Sequence, residues 1–170
     1  LEIYELRLLQ IKILEEQIKK LNYFKKNSFL INIELIDKFY KENVDIEIYK
    51  ENLKQNREID KLIGGAKFGP HKSDFMCYLN YNIPANQLST GQQKSLILIL
   101  ILAQCNYLVN ESNIRPIILM DEVCSHLDET NRLILLKIIE DFNLQTFMTG
   151  TEKNLFSFLS TNTNYYNITV

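Results

Sequence analysis

Apolar positions at Leu1, Tyr4, Leu8, Ile11, Leu14, Ile18 and Leu21 advance by threes and fours with charged residues between them, the spacing of one long amphipathic helix over 1–24. Ser28 is placed to cap a second helix running to about Tyr40. Tyr49, Leu53, Glu58 and Leu62 fall along a third that stops at the Gly64-Gly65 pair, because glycine takes the left-handed backbone that ends a helix. Beyond Gly65 the period shortens to two. Phe75, Cys77 and Leu79 alternate with more polar neighbours, and Tyr81-Asn82 stands where a hairpin would turn. From there the pattern predicts a buried helix over 92–107, a buried strand over 116–121, a helix over 128–142 and a strand over 145–149. A short helix over 152–159 and a last, edge strand over 165–170 complete it. Helix and strand alternate in this stretch, the order of a parallel α/β layer, so the expected fold class is α/β behind a helical first third.

Composition narrows the function classes. With 46% hydrophobic residues, 5 Gly and 3 Pro in 170 residues, the chain is too apolar and too poor in breakers to be disordered or fibrous, and it can bury a real core. Lys and Arg total 19 against 21 Asp and Glu, a net charge of −2, so no global field draws it to nucleic acid or anionic lipid, and any DNA contact has to be local. Cys77, Cys105 and Cys124 are widely spaced, with no Cys-x-x-Cys or His pairing, which argues against a disulfide framework or a zinc site and fits reduced cytoplasmic thiols. The longest apolar run, 96–103, is too short to span a bilayer. A soluble cytoplasmic protein is expected, and the opening at Leu1 in mid-pattern reads as part of a longer reading frame.

Three segments carry candidate chemistry. Ile117-Ile118-Leu119-Met120-Asp121-Glu122 is an apolar strand ending in two acids. At the carboxyl end of a parallel strand, where such sheets bind ligands, the first acid can hold Mg²⁺ through water while the second orients an attacking water. Taken alone, the same string also suits a strand entering a solvated turn. Leu88-Ser89-Thr90-Gly91-Gln92-Gln93-Lys94-Ser95 leads into the apolar helix: Ser89 or Thr90 can cap it, Gly91 lets backbone approach a ligand, and the helix-start N–H groups attract phosphate. The two strings in this order are far rarer than either alone. Ser125-His126-Leu127-Asp128 then opens the next helix, with Asp128 either an N-cap or part of a loop that communicates across a nucleotide-bridged dimer.

In this order LSTGQQKS resembles the signature of ABC-type ATPases, IILMDE their Walker B and SHLD their D-loop. More narrowly, Gly69-Pro70-His71-Lys72-Ser73-Asp74, the GQQKS form of the signature and the strand QTFMTGT resemble the C-terminal part of the RecF family of bacterial recombinational-repair ATPases, related to SMC heads. The likeness runs from about Tyr49 to Leu155, with Arg57, Asp60 and Gly64-Gly65 also fitting. It implies an ABC/SMC-type P-loop ATPase half-lobe: residues 1–63 as the end of an inserted helical arm, and 64–170 as the C-terminal half of the lobe. It further implies ATP and Mg²⁺ as cofactors, an ATP-dependent homodimer on single-stranded or gapped duplex DNA, RecO and RecR partners, and a part in recombinase loading, replication and the SOS response. In that mechanism Asp121 holds Mg²⁺, Glu122 positions the attacking water, and Ser89, Gly91 and Gln92 reach the γ-phosphate bound by the other subunit. Leu127 and Asp128 belong to the D-loop.

Two departures bear on mechanism. The sequence contains no GxxxxGK[ST], the loop that wraps the phosphates, so the chain by itself is expected to be inactive. Thr149 stands where many ABC proteins place a switch His. Gly69, Pro70 and His71 form a family motif of unknown role, in which His71 is either a phosphate or partner contact or part of a turn. Lys72, Lys94 and Lys67 are either DNA-phosphate contacts or solvated surface. The readings that compete are a head fragment of another SMC- or ABC-type ATPase and a non-catalytic interaction module.

Overall fold

The computed structural model describes residues 2–21, 30–37, 45–122, 124, 127, 129–159 and 163–168 and, of Thr130 and Asn131, the backbone alone. The chain divides into two compact units, one of Leu1–Glu16 with Ser28–Gln87 and one of Gln17–Asn27 with Leu88–Val170.

In the first unit, α1 (Glu2–Lys20) supplies residues up to Glu16, and the strands β1 (Ile31–Ile36), β2 (Asp74–Leu79) and β3 (Ile83–Pro84) form an antiparallel sheet in that order. The register sets Ile33 opposite Cys77 and Ile31 opposite Leu79, and Ile33, Cys77 and Leu79 are buried. Burial pushes the Cys77 thiol up from its ordinary value, and the Glu15 carboxylate adds to that. Glu15 Oε1 also accepts the N–H of Ile33 at 2.8 Å, satisfying a donor that an edge strand would leave bare. β2 and β3 meet through a tight turn in which Asn82 N donates to Leu79 O at 3.3 Å and both central residues, Asn80 and Tyr81, have positive φ, 51° and 67°. That is the turn whose twist matches a hairpin, centred one residue ahead of the expected Tyr81-Asn82.

β1 overturns the helix expected over 28–40. Ile31-Asn32-Ile33-Glu34-Leu35-Ile36 alternates apolar and polar through its first five residues and is half Ile, which suits a pleated strand better than a helix. Pairing with β2 decides it. Ser28 and Tyr40, the ends of that expected helix, lie outside the described residues. The third expected helix is two, α2 (Ile46–Gln55) and α3 (Arg57–Ile63), the first capped by Asp45 and the second closed by Gly64 at φ 74°.

The second unit packs α4 (Thr90–Asn110) and α5 (Glu129–Phe142) with a parallel pair, β4 (Ile118–Met120) and β5 (Thr146–Met148). Leu102 and Ala103 of α4 and Leu135 and Ile138 of α5 are fully buried, and Ile118, Met120, Cys124, Leu127 and Phe156 are buried in the same unit. The strand expected as buried over 116–121 is Ile118–Met120 and buries one face only, since Leu119 between its two buried neighbours is 76% exposed. These elements follow the predicted order of helix and strand. The short helix expected over 152–159 is a single 3-10 turn, Lys153–Phe156. The last strand does not form over the described residues 163–168; Tyr165 is instead tied back by its hydroxyl, which donates to Phe156 O at 3.2 Å. No helix among the described residues is long and apolar enough to cross a membrane.

Gln17, the C-terminal part of α1 in this unit, is only 1% exposed. Its Nε2 donates to Glu111 Oε1 at 2.6 Å and its Oε1 accepts from Asn106 Nδ2 at 2.6 Å. Lys20 Nζ donates to the same Glu111 oxygen at 2.7 Å. The Lys20 hydrogen bond, followed by that of Gln17, holds the Glu111 carboxyl below its ordinary value. A folded-state value below the unfolded one means that this contribution to stability is present above the usual carboxylate range and is lost as the pH falls through the lowered value. Gln17→Ala takes the acceptor from the part-buried Asn106 amide, while Glu111 keeps Lys20, and we expect the loss at Asn106 to cost about 1–3 kcal/mol, read as a lowered urea midpoint with an unchanged slope.

Candidate active site

The parallel register sets Met120 opposite Met148, so the next residues, Asp121 and Thr149, leave the carboxyl ends of β4 and β5 side by side. Thr149 N donates to Met120 O at 2.9 Å, which carries the ladder one step past the strands. The Thr149 hydroxyl donates to Asp121 Oδ1 and accepts the N–H of Glu122 at 3.0 Å. Glu122 has a left-handed backbone, φ 46°, which is uncommon for a residue with a side chain and turns the chain sharply off the strand. Asp121 and Glu122 are both exposed. Behind Thr149, a Cβ on Gly150 would lie 2.7 Å from the ring of buried Phe156, so only glycine allows this approach.

The helix that opens at Ser89 is capped reciprocally. Ser89 Oγ accepts from Gln92 N at 3.3 Å and Gln92 Oε1 accepts from Ser89 N at 3.0 Å, a capping box that fixes the first turn. Gln93 Nε2 holds the preceding turn through Leu88 O at 3.2 Å. Ser89, Gly91 and Gln92 are exposed, and nothing lies within 4 Å of where a Cβ of Gly91 would be. The N–H groups of Thr90 and Gly91 have no intrahelical carbonyl to meet. An anion can therefore reach backbone there. Lys94 is exposed on the same first turns.

Of the D-loop, Leu127 is buried, and its carbonyl accepts from Arg132 Nε at 2.9 Å; Ser125, His126 and Asp128 lie outside the described residues. The Gly69-Pro70-His71 motif belongs to the other unit. Gly69 has φ 140°, Pro70–Lys72 form a 3-10 turn, and His71 Nε2 is 2.8 Å from Ala66 O. The Pro70 carbonyl accepts from Arg7, and Ser73 donates to Asp37. Lys67 and Lys72 are exposed. Thr149 and Gln93 are the residues whose contacts the sequence did not disclose. The strand register brings the first to Asp121, and no local spacing reports that.

No group of three or more His, Cys, Asp or Glu among the described residues could enclose a metal. The donors suit Mg²⁺ nonetheless, because that ion keeps several waters and binds through one or two carboxylates together with substrate phosphates. Asp121 meets Thr149 through Oδ1.

No family model matches the chain. The DNA replication and repair protein RecF of Rickettsia rickettsii (strain Sheila Smith) is 41% identical over 112 residues, which is 65% of this chain and 31% of that protein. RecF of Rickettsia akari (strain Hartford) is 43% identical over 100 residues, 58% of this chain and 28% of that protein. The chain thus spans about a third of the length of the curated relatives it matches. Two solved structures of the recombination mediator protein RecF in the RecFOR pathway superpose on it. RecF-ATP matches with a TM-score of 0.65 and 25% identity, over 89% of this chain and 41% of that one. RecF-ATPrS matches with a TM-score of 0.66 and 25% identity, over 94% and 43%. In sequence and in fold, the chain is a relative of RecF that corresponds to a C-terminal portion of it, with the α/β architecture of an ABC-type ATPase half-lobe.

Proposed function

We propose that this chain supplies the signature and the Walker B acids of an ATP-dependent DNA replication and repair protein of the RecF kind. The observation that carries the reading is the acid pair Asp121-Glu122 at the carboxyl end of a parallel strand, held there through Thr149. Asp121 would hold Mg²⁺, and Glu122 would orient the water that attacks ATP. Ser89, Gly91 and Gln92 present a capped helix start to the γ-phosphate bound by a second subunit, so that two lobes enclose the nucleotide. Leu127 and Asp128 form the D-loop between them. Residues 1–63 are the end of an arm and 64–170 the C-terminal half of the lobe, with β1 crossing over to pair with β2. The function served is cytoplasmic: binding single-stranded or gapped duplex DNA and aiding recombinase loading with RecO- and RecR-type partners, in repair, replication and the SOS response. Lys72 and Lys94 are the candidate phosphate contacts on DNA.

A second reading has an observation of its own. The sequence contains no GxxxxGK[ST], and acids that position a metal and a water do not replace a loop that fixes the phosphates; the fold would then serve as an interaction module. One experiment separates the two. The part of this chain that aligns with 112 residues of Rickettsia rickettsii RecF replaces that stretch in it, and ATP turnover is measured for the chimera and for the chain alone. The proposal expects turnover in the chimera, abolished by Asp121→Asn, and none in the chain alone. A chimera that folds and binds DNA without turnover supports the interaction module.

A further inference from the structure

We propose that Thr149 is a positioning residue, a clamp whose single hydroxyl sets both the Asp121 carboxylate and the Glu122 backbone. This deepens the reading above and rests on Asp121 as the carboxylate that faces the metal. A threonine hydroxyl has one proton and two acceptor sites. Here the proton goes to Asp121 Oδ1, and the oxygen accepts the Glu122 N–H at 3.0 Å. Neither bond depends on the other residue's side chain, so one atom orders two consecutive residues of the site. The first bond selects which carboxylate oxygen is engaged. The second bond holds Glu122 at φ 46°, a conformation that an ordinary residue keeps only when its surroundings impose it.

The clamp is itself fixed from behind. Thr149 N donates to Met120 O at 2.9 Å, and Gly150 admits the Phe156 ring against the backbone. A group that senses a γ-phosphate has to offer it a proton, whereas the Thr149 proton is already committed to Asp121. The residue therefore acts on the acids and not on the phosphate.

The test compares Thr149→Val, which keeps the shape and loses the hydroxyl, with Thr149→Ser, which keeps the hydroxyl. Two quantities are read on the isotope-labelled 170-residue chain: the exchange protection of the Glu122 amide by NMR, and the affinity for Mn²⁺ by electron spin resonance. In Thr149→Val we expect the Glu122 amide to lose its protection and Mn²⁺ affinity to fall roughly tenfold or more, as when other partners of metal-facing ligands are removed. Thr149→Ser restores both. Wild-type protection and affinity in Thr149→Val would overturn the clamp, as would a Thr149→Ser chain that behaves like Thr149→Val. If the wild-type chain takes up no Mn²⁺, the assignment of Asp121 to a metal fails, and the Glu122 amide alone decides the clamp: protection retained in Thr149→Val overturns it, and protection lost in Thr149→Val but kept in Thr149→Ser supports it.

Discussion

Glu122→Gln in the chimera with Rickettsia rickettsii RecF should lower steady-state ATP turnover by about 10²- to 10⁴-fold, the range that removal of a positioned proton-accepting group produces. Nucleotide and Mg²⁺ binding should survive, because the substitution spares Asp121 and keeps the size of the side chain. The backbone of Glu122 is set by its own N–H bond to Thr149 Oγ1, which an amide side chain leaves in place. Coupled-assay kinetics checks this: a KM near wild type with a collapsed kcat is the expected pattern, and a wild-type kcat would remove Glu122 from the chemistry.

The second large effect is on folding. Leu135 in α5 is 0% exposed and lies in the core shared by α4, α5 and β4. Its truncation to Ala leaves a cavity as well as a lost transfer energy, about 2–5 kcal/mol, against a total of roughly 5–15 kcal/mol for an ordinary domain. Leu135→Ala should therefore be largely unfolded at moderate urea, as read by circular dichroism. A midpoint unchanged from wild type would mean that the interior of this unit is not packed as described.

The second unit was legible because its signals are local. Ser89 and Thr90 ahead of Gly91 spell a capped helix start, and the apolar run Ile117 to Met120 before Asp121 spells a strand ending in acid. The hairpin was legible for the same reason, since Asn80, Tyr81 and Asn82 interrupt an alternating run. β1 was misread because Leu30, Ile33 and Ile36 also suit a helical face; the strand wins through pairing with residues 38 to 48 positions later in the chain. The partner of Asp121 was hidden for a related reason, since the hydrogen bond to Thr149 spans a sequence separation of 28 and exists only in the register of a parallel pair. Tyr165 failed as a strand because its neighbours are side-chain ties to Phe156 and Lys153, with no described strand beside it.

The central claim is that Ser89 with Gly91, and Asp121 with Glu122, face one nucleotide from two subunits. Ser89→Arg puts a long cation at the mouth of the capped helix start and should leave the first ATP bound while blocking dimerisation. Glu122→Gln should do the opposite, letting ATP-bound dimers accumulate because the water is no longer oriented. Sedimentation velocity of the chimera and both variants, with ATP and a gapped duplex, tests this most directly. The account predicts monomers for Ser89→Arg and an excess of dimers over wild type for Glu122→Gln. Variants that both dimerise like wild type, or both fail to bind nucleotide, would contradict it.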